Sequence, residues 1–349
     1  MAYRWSWSWG SESAVVLADM GFEFSSTSTG LFAPTTAEQY KPTGAPTKYS
    51  MAMDMQDWVQ LPLAATAGMD QGVVSGAFKV ASASWYAEKV FYVRGTLGTP
   101  VEVRMASGAL ALYIDGNWKA TSPVYNFTDW RFVALHFDFR ADPWKIKVTV
   151  DGAVAIAEYS QADDSWHDIA ADTLGAARMY GCAWGTLPWY SGQIIVQDEY
   201  ADVASPRYVT RISPDADTSE TGTWTPTTAG SNFGSTGVDP FDAATYTEEG
   251  TPSAGDDVIT SYASDLTTLL GGIPGSVDLV TVHSYSTGAA NTARAEVGDA
   301  GGATTTVGTT TLIGSGTTYA YASATVAPGD SAAWDGTDTP KCKYEVVSV

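Results

Sequence analysis

Catalysis needs groups that converge, and few groups in this 349-residue sequence could do so. Carboxylates are the first candidates. Two of them at period two on one strand would project from one face, near enough to act as nucleophile and proton donor in glycoside hydrolysis. Asp198 and Glu199 are adjacent instead, so a strand would turn them to opposite faces, and Asp202 does not restore the spacing. Histidine is scarce. His136 falls within a strand pattern, His167 in an acidic stretch and His283 far downstream, and each reads as a structural or surface group. The sequence contains no G-x-S-x-G elbow, no Walker A loop, no H-E-x-x-H and no C-x-x-C. It nominates no catalytic residue, and the expectation is a protein that is not an enzyme.

Metal and sugar chemistry come next. Asp215, Asp217 and Ser219 begin like a calcium loop. The sixth position is Glu220 where the sharp turn needs Gly, and the twelfth is Pro226 where a bidentate Glu is needed, so the EF-hand reading fails. Asp163, Asp164, Asp168 and Asp172 read as a solvated acidic loop, with a loop-built calcium site as the alternative. Sugars stack their C–H faces on exposed rings flanked by amide and carboxylate groups. Trp184, Trp189 and Tyr190, with Pro188 and the spacing glycines Gly181 and Gly185, form an aromatic turn of that type. Trp85 and Trp118 are further glycan-binding candidates. Each of these rings could equally serve core or interface packing.

Composition narrows the classes. The net charge is −21, with 18 basic residues scattered among 39 acidic ones, which argues against a nucleic-acid partner. Charged residues make up 16%, against roughly 25% in typical domains, so solubility leans on Ser, Thr, Gly and amides. Two cysteines, Cys182 and Cys342, exclude a disulfide framework and read as unpaired buried thiols. The first residues show no charged region leading into an apolar one, and no apolar run approaches the roughly 18 residues of a membrane span. The expectation is synthesis in the cytoplasm without a signal peptide and without membrane insertion.

These candidates must be held by strands. Trp5, Trp7 and Trp9 alternate with serines and share one strand face, predicted to dock on the protein's own core. Ala109–Ile114, Asp115-Gly116 and Asn117–Ala120 read as a hairpin with a type I′ turn. In Arg131–Phe139, Val133, Leu135, Phe137 and Phe139 oppose Phe132, Ala134, His136 and Asp138. Ile146, Val148 and Val150 then oppose Lys145, Lys147 and Thr149, before Asp151-Gly152 turns into Ala153–Tyr159. The pattern predicts a three-strand meander with one wet face. Ile194–Val196 reads as a core strand, and Ser264–Leu270 as a two-turn helix ending at Gly271-Gly272. Composition shifts at Ser213-Pro214-Asp215, which places domains at 1–212 and 213–349. In the second, Val277–Val282, Thr304–Leu312 and Thr317–Val326 favour strands of a smaller β-sandwich.

Phe127–Leu135 followed by Ile146–Gly152 resembles the laminin-G-like/concanavalin-like family, whose members carry a Trp (here Trp130) ahead of one strand and a V-D-G turn after the next. The resemblance covers about residues 70–200 and implies an all-β, lectin-type jelly roll. It is weak for function, because the family spans adhesins, lectins, glycosidases and viral coat elements. A retaining glucanase of this type would carry Glu-x-Asp-x-x-Glu on one strand, and this chain does not. A second resemblance joins Asp198-Glu199-Tyr200, Ser213-Pro214-Asp215-Ala216-Asp217 and Trp224-Thr225-Pro226 to Asp239-Pro240, Asp242, Thr245-Tyr246 and Trp334. That series is similar to structural proteins of tailed bacteriophages. It implies a virion surface protein, a capsid decoration or tail-fibre component, with other virion proteins as partners and a homo-oligomer, trimeric in many such proteins, as its state. A free-standing carbohydrate-binding adhesin is the alternative, and a glycosidase on the same fold a third.

Overall fold

The computed structural model describes residues 3–8, 17–18, 20–25, 33–35, 50–53, 58–80, 86–140, 144–160, 173–180, 189–201, 209, 214–227, 247–262, 264–269, 277–288, 292–299, 310–312 and 316–348. The chain divides by its own contacts into two compact units. Met1–Ser11, Gly21–Tyr40 and Thr47–Val209 form the first; Glu12–Met20, Lys41–Pro46 and Thr210–Val349 form the second.

In the first unit the strands run β1 (Tyr3–Ser8), β2 (Glu23–Phe24), β3 (Ala33–Thr35), β4 (Ser50–Met53) and β5 (Trp58–Gln60), then the single-turn helix α1 (Leu63–Thr66). There follow β6 (Gln71–Val80), β7 (Tyr86–Gly95), β8 (Pro100–Ala106), β9 (Ala109–Ile114) and β10 (Asn117–Val124). The last five are β11 (Arg131–Asp138), β12 (Lys145–Val150), β13 (Ala153–Ser160), β14 (Leu174–Tyr180) and β15 (Trp189–Gln197). They form two antiparallel sheets. Sheet one has the order β13-β12-β11-β6-β15-β4-β3, with β1 pairing the second half of β15; sheet two has the order β10-β9-β8-β7-β14-β5-β2.

Period-two alternation builds the core between these sheets. Val133, Leu135 and Phe137 of β11 and Ile146, Val148 and Val150 of β12 are fully buried, as are Phe91, Val93, Val101, Val103, Leu110 and Leu112 from sheet two. Phe78 of β6 meets Phe91 of β7 edge-on with centroids 5.0 Å apart, tying one sheet to the other. Each such side chain contributes roughly 1.5–3 kcal/mol on burial. The two Asp-Gly turns have positive φ at both residues, 48° and 75° at Asp115-Gly116 and 51° and 81° at Asp151-Gly152, as type I′ hairpins require. Asp151 also pins β11: it accepts from the Phe132 amide at 2.9 Å and pairs with Arg131 at 2.7 Å.

The Trp ridge settles within the chain. Trp5 and Trp7 stack in parallel at 6.1 Å, both against Phe22, and both are buried beside Ile194 and Val196 of β15. Trp9 lies outside the described residues. One expectation is corrected. The far face of the meander is dry over β11, where Phe132, Ala134, His136 and Asp138 are buried, as is Thr149 of β12, while Lys145 and Lys147 stay partly exposed. On this face Val209 packs with Trp130 on a cluster of Val73, Ala77, Phe132, Ala134 and Ile195. Its amide donates to Gln193 Oε1 at 2.7 Å. Tyr200 sits edge-on to His136 at 6.1 Å, and His136 Nε2 bonds Thr149 at 3.1 Å. Sheet one is therefore covered on both sides where β6, β11 and β15 run, and the outward face of sheet two is open to water.

The second unit is also built mainly of strands among its described residues. Its elements are β16 (Ala216–Thr221), β17 (Trp224–Pro226), β18 (Thr247–Glu249), β19 (Asp257–Ser261), α2 (Leu266–Leu269), β20 (Val280–Gly288), β21 (Thr292–Asp299), β22 (Thr310–Leu312), β23 (Gly316–Ala324) and β24 (Pro340–Ser348). A five-stranded antiparallel sheet, β16-β19-β24-β21-β22, accompanies the pairs β17-β18 and β20-β23. Its core is thin because alanine supplies much of it: Ala295, Ala322, Ala324 and Ala327 surround Val297, Leu266 and Trp334. Trp334 Nε1 donates to the Ala324 carbonyl at 2.9 Å. Helix α2 is half the expected length, capped by Asp265, whose carboxylate accepts from the Thr268 amide at 2.9 Å.

Candidate functional site

The outward face of sheet two collects chemistry in a single line. Directly opposed residues run across all seven strands: Trp118 of β10, Tyr113 of β9, Glu102 of β8, Tyr92 of β7, Arg178 of β14, Gln60 of β5 and Glu23 of β2. Six interstrand steps of about 4.8 Å make the row about 29 Å long. The local sequence explains the placement. Val101-Glu102-Val103-Arg104-Met105 and Ala177-Arg178-Met179-Tyr180 alternate, so the apolar phase enters the core and the aromatic or charged phase faces water. Tyr180 stands opposite Trp58, two residues along from Arg178 and Gln60.

Rings and cations interleave along this row. The Arg178 guanidinium lies 4.1 Å from the Trp58 ring centroid and 5.4 Å from that of Tyr92. Its Nε donates to Gln60 Oε1 at 2.8 Å. Lys89 Nζ sits 5.5 Å from Tyr92 and 5.3 Å from Tyr180, and those two rings meet edge-on at 6.3 Å. Lys89 also reaches Glu102 at 2.8 Å, and Arg104 closes on the same carboxylate at 2.5 Å while stacking on Tyr113 at 4.0 Å. Glu102 is 4% exposed and binds both cations, which satisfies its buried charge. Each cation–ring contact is worth about 0.5–1 kcal/mol at this exposure. The larger consequence is order: long side chains that would otherwise sample many rotamers are held before any ligand arrives.

Such a surface can receive a flat, hydroxylated ligand. Tyr and Trp offer apolar area with a polar handle, and half-buried Arg, Lys and Gln supply directional hydrogen bonds. Trp118, 59% exposed, stands at the open end of the row with Nε1 donating to Thr121 at 2.8 Å.

Among the glycan-binding candidates whose side chains are described, Trp118 falls on this face and Tyr190 does not. Tyr190 is half-buried in β15 of sheet one, so those two do not share a site. The Trp189 backbone lies in the same strand, and its side chain is outside the described residues, as are Trp85, Trp184 and the acidic stretch Asp163–Asp172. Asp217 and Ser219 lie in β16, an extended strand rather than a loop that could wrap an ion. No group of three or more His, Cys, Asp or Glu able to hold a metal occurs among the described residues. Sequence reasoning missed Trp58, Gln60, Lys89, Tyr92, Glu102, Arg104, Tyr113, Arg178 and Tyr180. The alternation in β8 and β14 was the available signal.

The fold and this face define an antiparallel β-sandwich with an aromatic and cationic strip on one sheet. No protein-family model and no curated protein matches the sequence. Among solved structures, the cellulose-induced protein Cip1 is similar over 51% of this chain and 87% of its own, with 10% identity and a TM-score of 0.35. The CBM40 of the Ruminococcus gnavus IT-sialidase, bound to α2,3-sialyllactose, is similar over 44% of this chain and 91% of its own, with 16% identity and a TM-score of 0.33. A protein of unknown function from Shewanella oneidensis MR-1 is similar over 60% of this chain and 91% of its own, with 12% identity and a TM-score of 0.35.

Proposed function

We propose that this chain is a carbohydrate-binding protein that holds its ligand on the outward face of sheet two, without catalysing its breakdown. One observation carries the reading: the continuous line from Trp118 through Tyr113, Glu102, Tyr92 and Arg178 to Gln60, interleaving rings with hydrogen-bonding groups. The carboxylates support binding rather than hydrolysis. On the described side chains of this face they are Glu102 and Glu23, four strands and so about 19 Å apart. Glycosidases need two carboxyl groups roughly 5–9.5 Å apart. Glu102 is also engaged by Lys89 and Arg104.

Display of this face on a tailed-phage particle, the setting implied by the second sequence resemblance, is part of the same proposal. A free-standing adhesin would share the site and differ in being absent from purified particles, which mass spectrometry of those particles decides. The binding claim is tested by a glycan array followed by titration calorimetry. Trp58→Ala and Tyr92→Ala are each expected to weaken binding about tenfold or more. Binding lost on Trp189→Ala and kept on Trp58→Ala would move the site to the turn nominated from sequence and overturn this reading.

A further inference from the structure

We infer that the ligand of sheet two is an acidic glycan, and that Arg178 receives the carboxylate of one of its sugars. The inference rests on the reading above and sharpens it. The chain as a whole carries a charge of −21, yet among the described side chains of this face the named cations outnumber the carboxylates. Lys89, Arg94, Arg104 and Arg178 stand on its strands against Glu23 and Glu102 among the described side chains. The four cations are not equivalent. Lys89 and Arg104 share the single carboxylate of Glu102. Arg94 is exposed and lies two residue pairs further along β7 and β14, opposite Ala176.

Arg178 differs from all three. It is half-buried, stacked between Trp58 and Tyr92, and fixed at Nε by the neutral amide of Gln60. No carboxylate pairs with it among the described residues, although the protein has acids in excess. A guanidinium held at Nε and over its plane retains the donors of its Nη groups, in a fixed fork that matches the two oxygens of a carboxylate. The flanking rings supply apolar surface for the sugar that bears the carboxylate. A neutral glycan would use those rings and leave the Arg178 charge unanswered.

The test uses the full chain. A glycan array containing neutral, carboxylated and sulfated members is followed by titration against polygalacturonate, hyaluronate and alginate, and against the carboxyl-reduced form of each. The inference expects carboxylated array members to bind and at least one acidic polymer to bind about tenfold or more tighter than its reduced form. That preference should shrink with added salt. Arg178→Met, which keeps the stem packing, should abolish it, and Arg178→Lys should restore only part, with thermal midpoints confirming that both variants fold. Equal affinity for acidic and reduced polymers, lost in Trp58→Ala, overturns the acidic inference and leaves the binding face standing. Array hits confined to sulfated glycans, or a carboxylate preference kept in Arg178→Met, overturn it as well. An absence of binding to any array member or polymer, or binding indifferent to both Trp58→Ala and Arg178→Met, overturns the binding face itself and the inference with it.

Discussion

Replacing Glu102 by Gln removes the carboxylate that holds both Lys89 and Arg104. Glu102 is 4% exposed and receives Lys89 at 2.8 Å and Arg104 at 2.5 Å, so the variant loses two charge-assisted contacts and leaves two cations facing a neutral amide. Both cations are partly solvated, with side chains 27% and 31% exposed, which discounts the Coulombic loss. A net cost of about 1–2 kcal/mol follows for the pair. In a unit of this size that corresponds to a fall in Tm of about 2–8 °C. The assay is thermal unfolding followed by near-UV circular dichroism, whose tyrosine and tryptophan signals report the order of Tyr92, Tyr113 and Tyr180. The exposed carboxylate Glu23 is the control: Glu23→Gln should stay within about 0.5 kcal/mol of the parent. Arg104→Met combined with Glu102→Gln should cost less than the two single changes added. A Glu102→Gln protein with an unchanged Tm and unchanged near-UV spectrum would refute the claim that this carboxylate holds the strip together.

Other changes test the scaffold. Trp7→Ala empties a buried site against Trp5 and Phe22 and should cost about 3–5 kcal/mol by denaturant titration, with no change in oligomeric state by light scattering. A Cβ added at Gly72 would stand 2.3 Å from the Gln197 carbonyl and 2.4 Å from Met69 Cε, so Gly72→Ala should destabilise the first unit by about 1–3 kcal/mol on the same titration. In the second unit, burial would raise the Glu345 carboxyl, but Lys343 and Arg294 outweigh it and hold the group below its ordinary 4.5. The folded value lies below the unfolded one, so the stabilisation is present above about pH 4.5 and lost as pH falls through the folded value. Glu345→Gln should therefore lower stability near neutrality and flatten its decline in acid. Part of Cys342 reaches the surface, yet burial around the thiol pushes its pKa up to about 11. In a Cys182→Ser background it should react with Ellman's reagent near pH 8 more than about a hundredfold slower than a free thiol.

The sandwich was legible because period two leaves a strong trace. Val133, Leu135 and Phe137 against Ile146, Val148 and Val150, with Asp-Gly at the turns, dictate paired strands whatever lies around them. The same pattern overstated the wet face, which is dry over β11 and partly exposed at Lys145 and Lys147. Alternation says that one face differs from the other, and His136, Asp138, Lys145 and Lys147 made the far face of the meander read as solvated. Its cover comes from Tyr200 and Val209, whose arrival over β11 no local pattern announces. The site was missed for a related reason. Trp58, Tyr92, Glu102 and Arg178 are widely separated in sequence and meet only through the order β8-β7-β14-β5, which is a matter of topology. Clusters of rings in sequence, such as Trp184 to Tyr190, draw attention that single rings in alternating strands do not.

A glycan held on the outward face of sheet two, as proposed, would shield the backbone of the strands beneath it. Hydrogen–deuterium exchange of the full chain, with and without a saturating array-selected glycan, reads this most directly. New protection is expected in peptides carrying Trp58–Gln60, Lys89–Arg94, Glu102–Arg104 and Arg178–Tyr180, with the pattern lost in Trp58→Ala. Protection confined to β15 around Tyr190, or to the second unit, would contradict that placement.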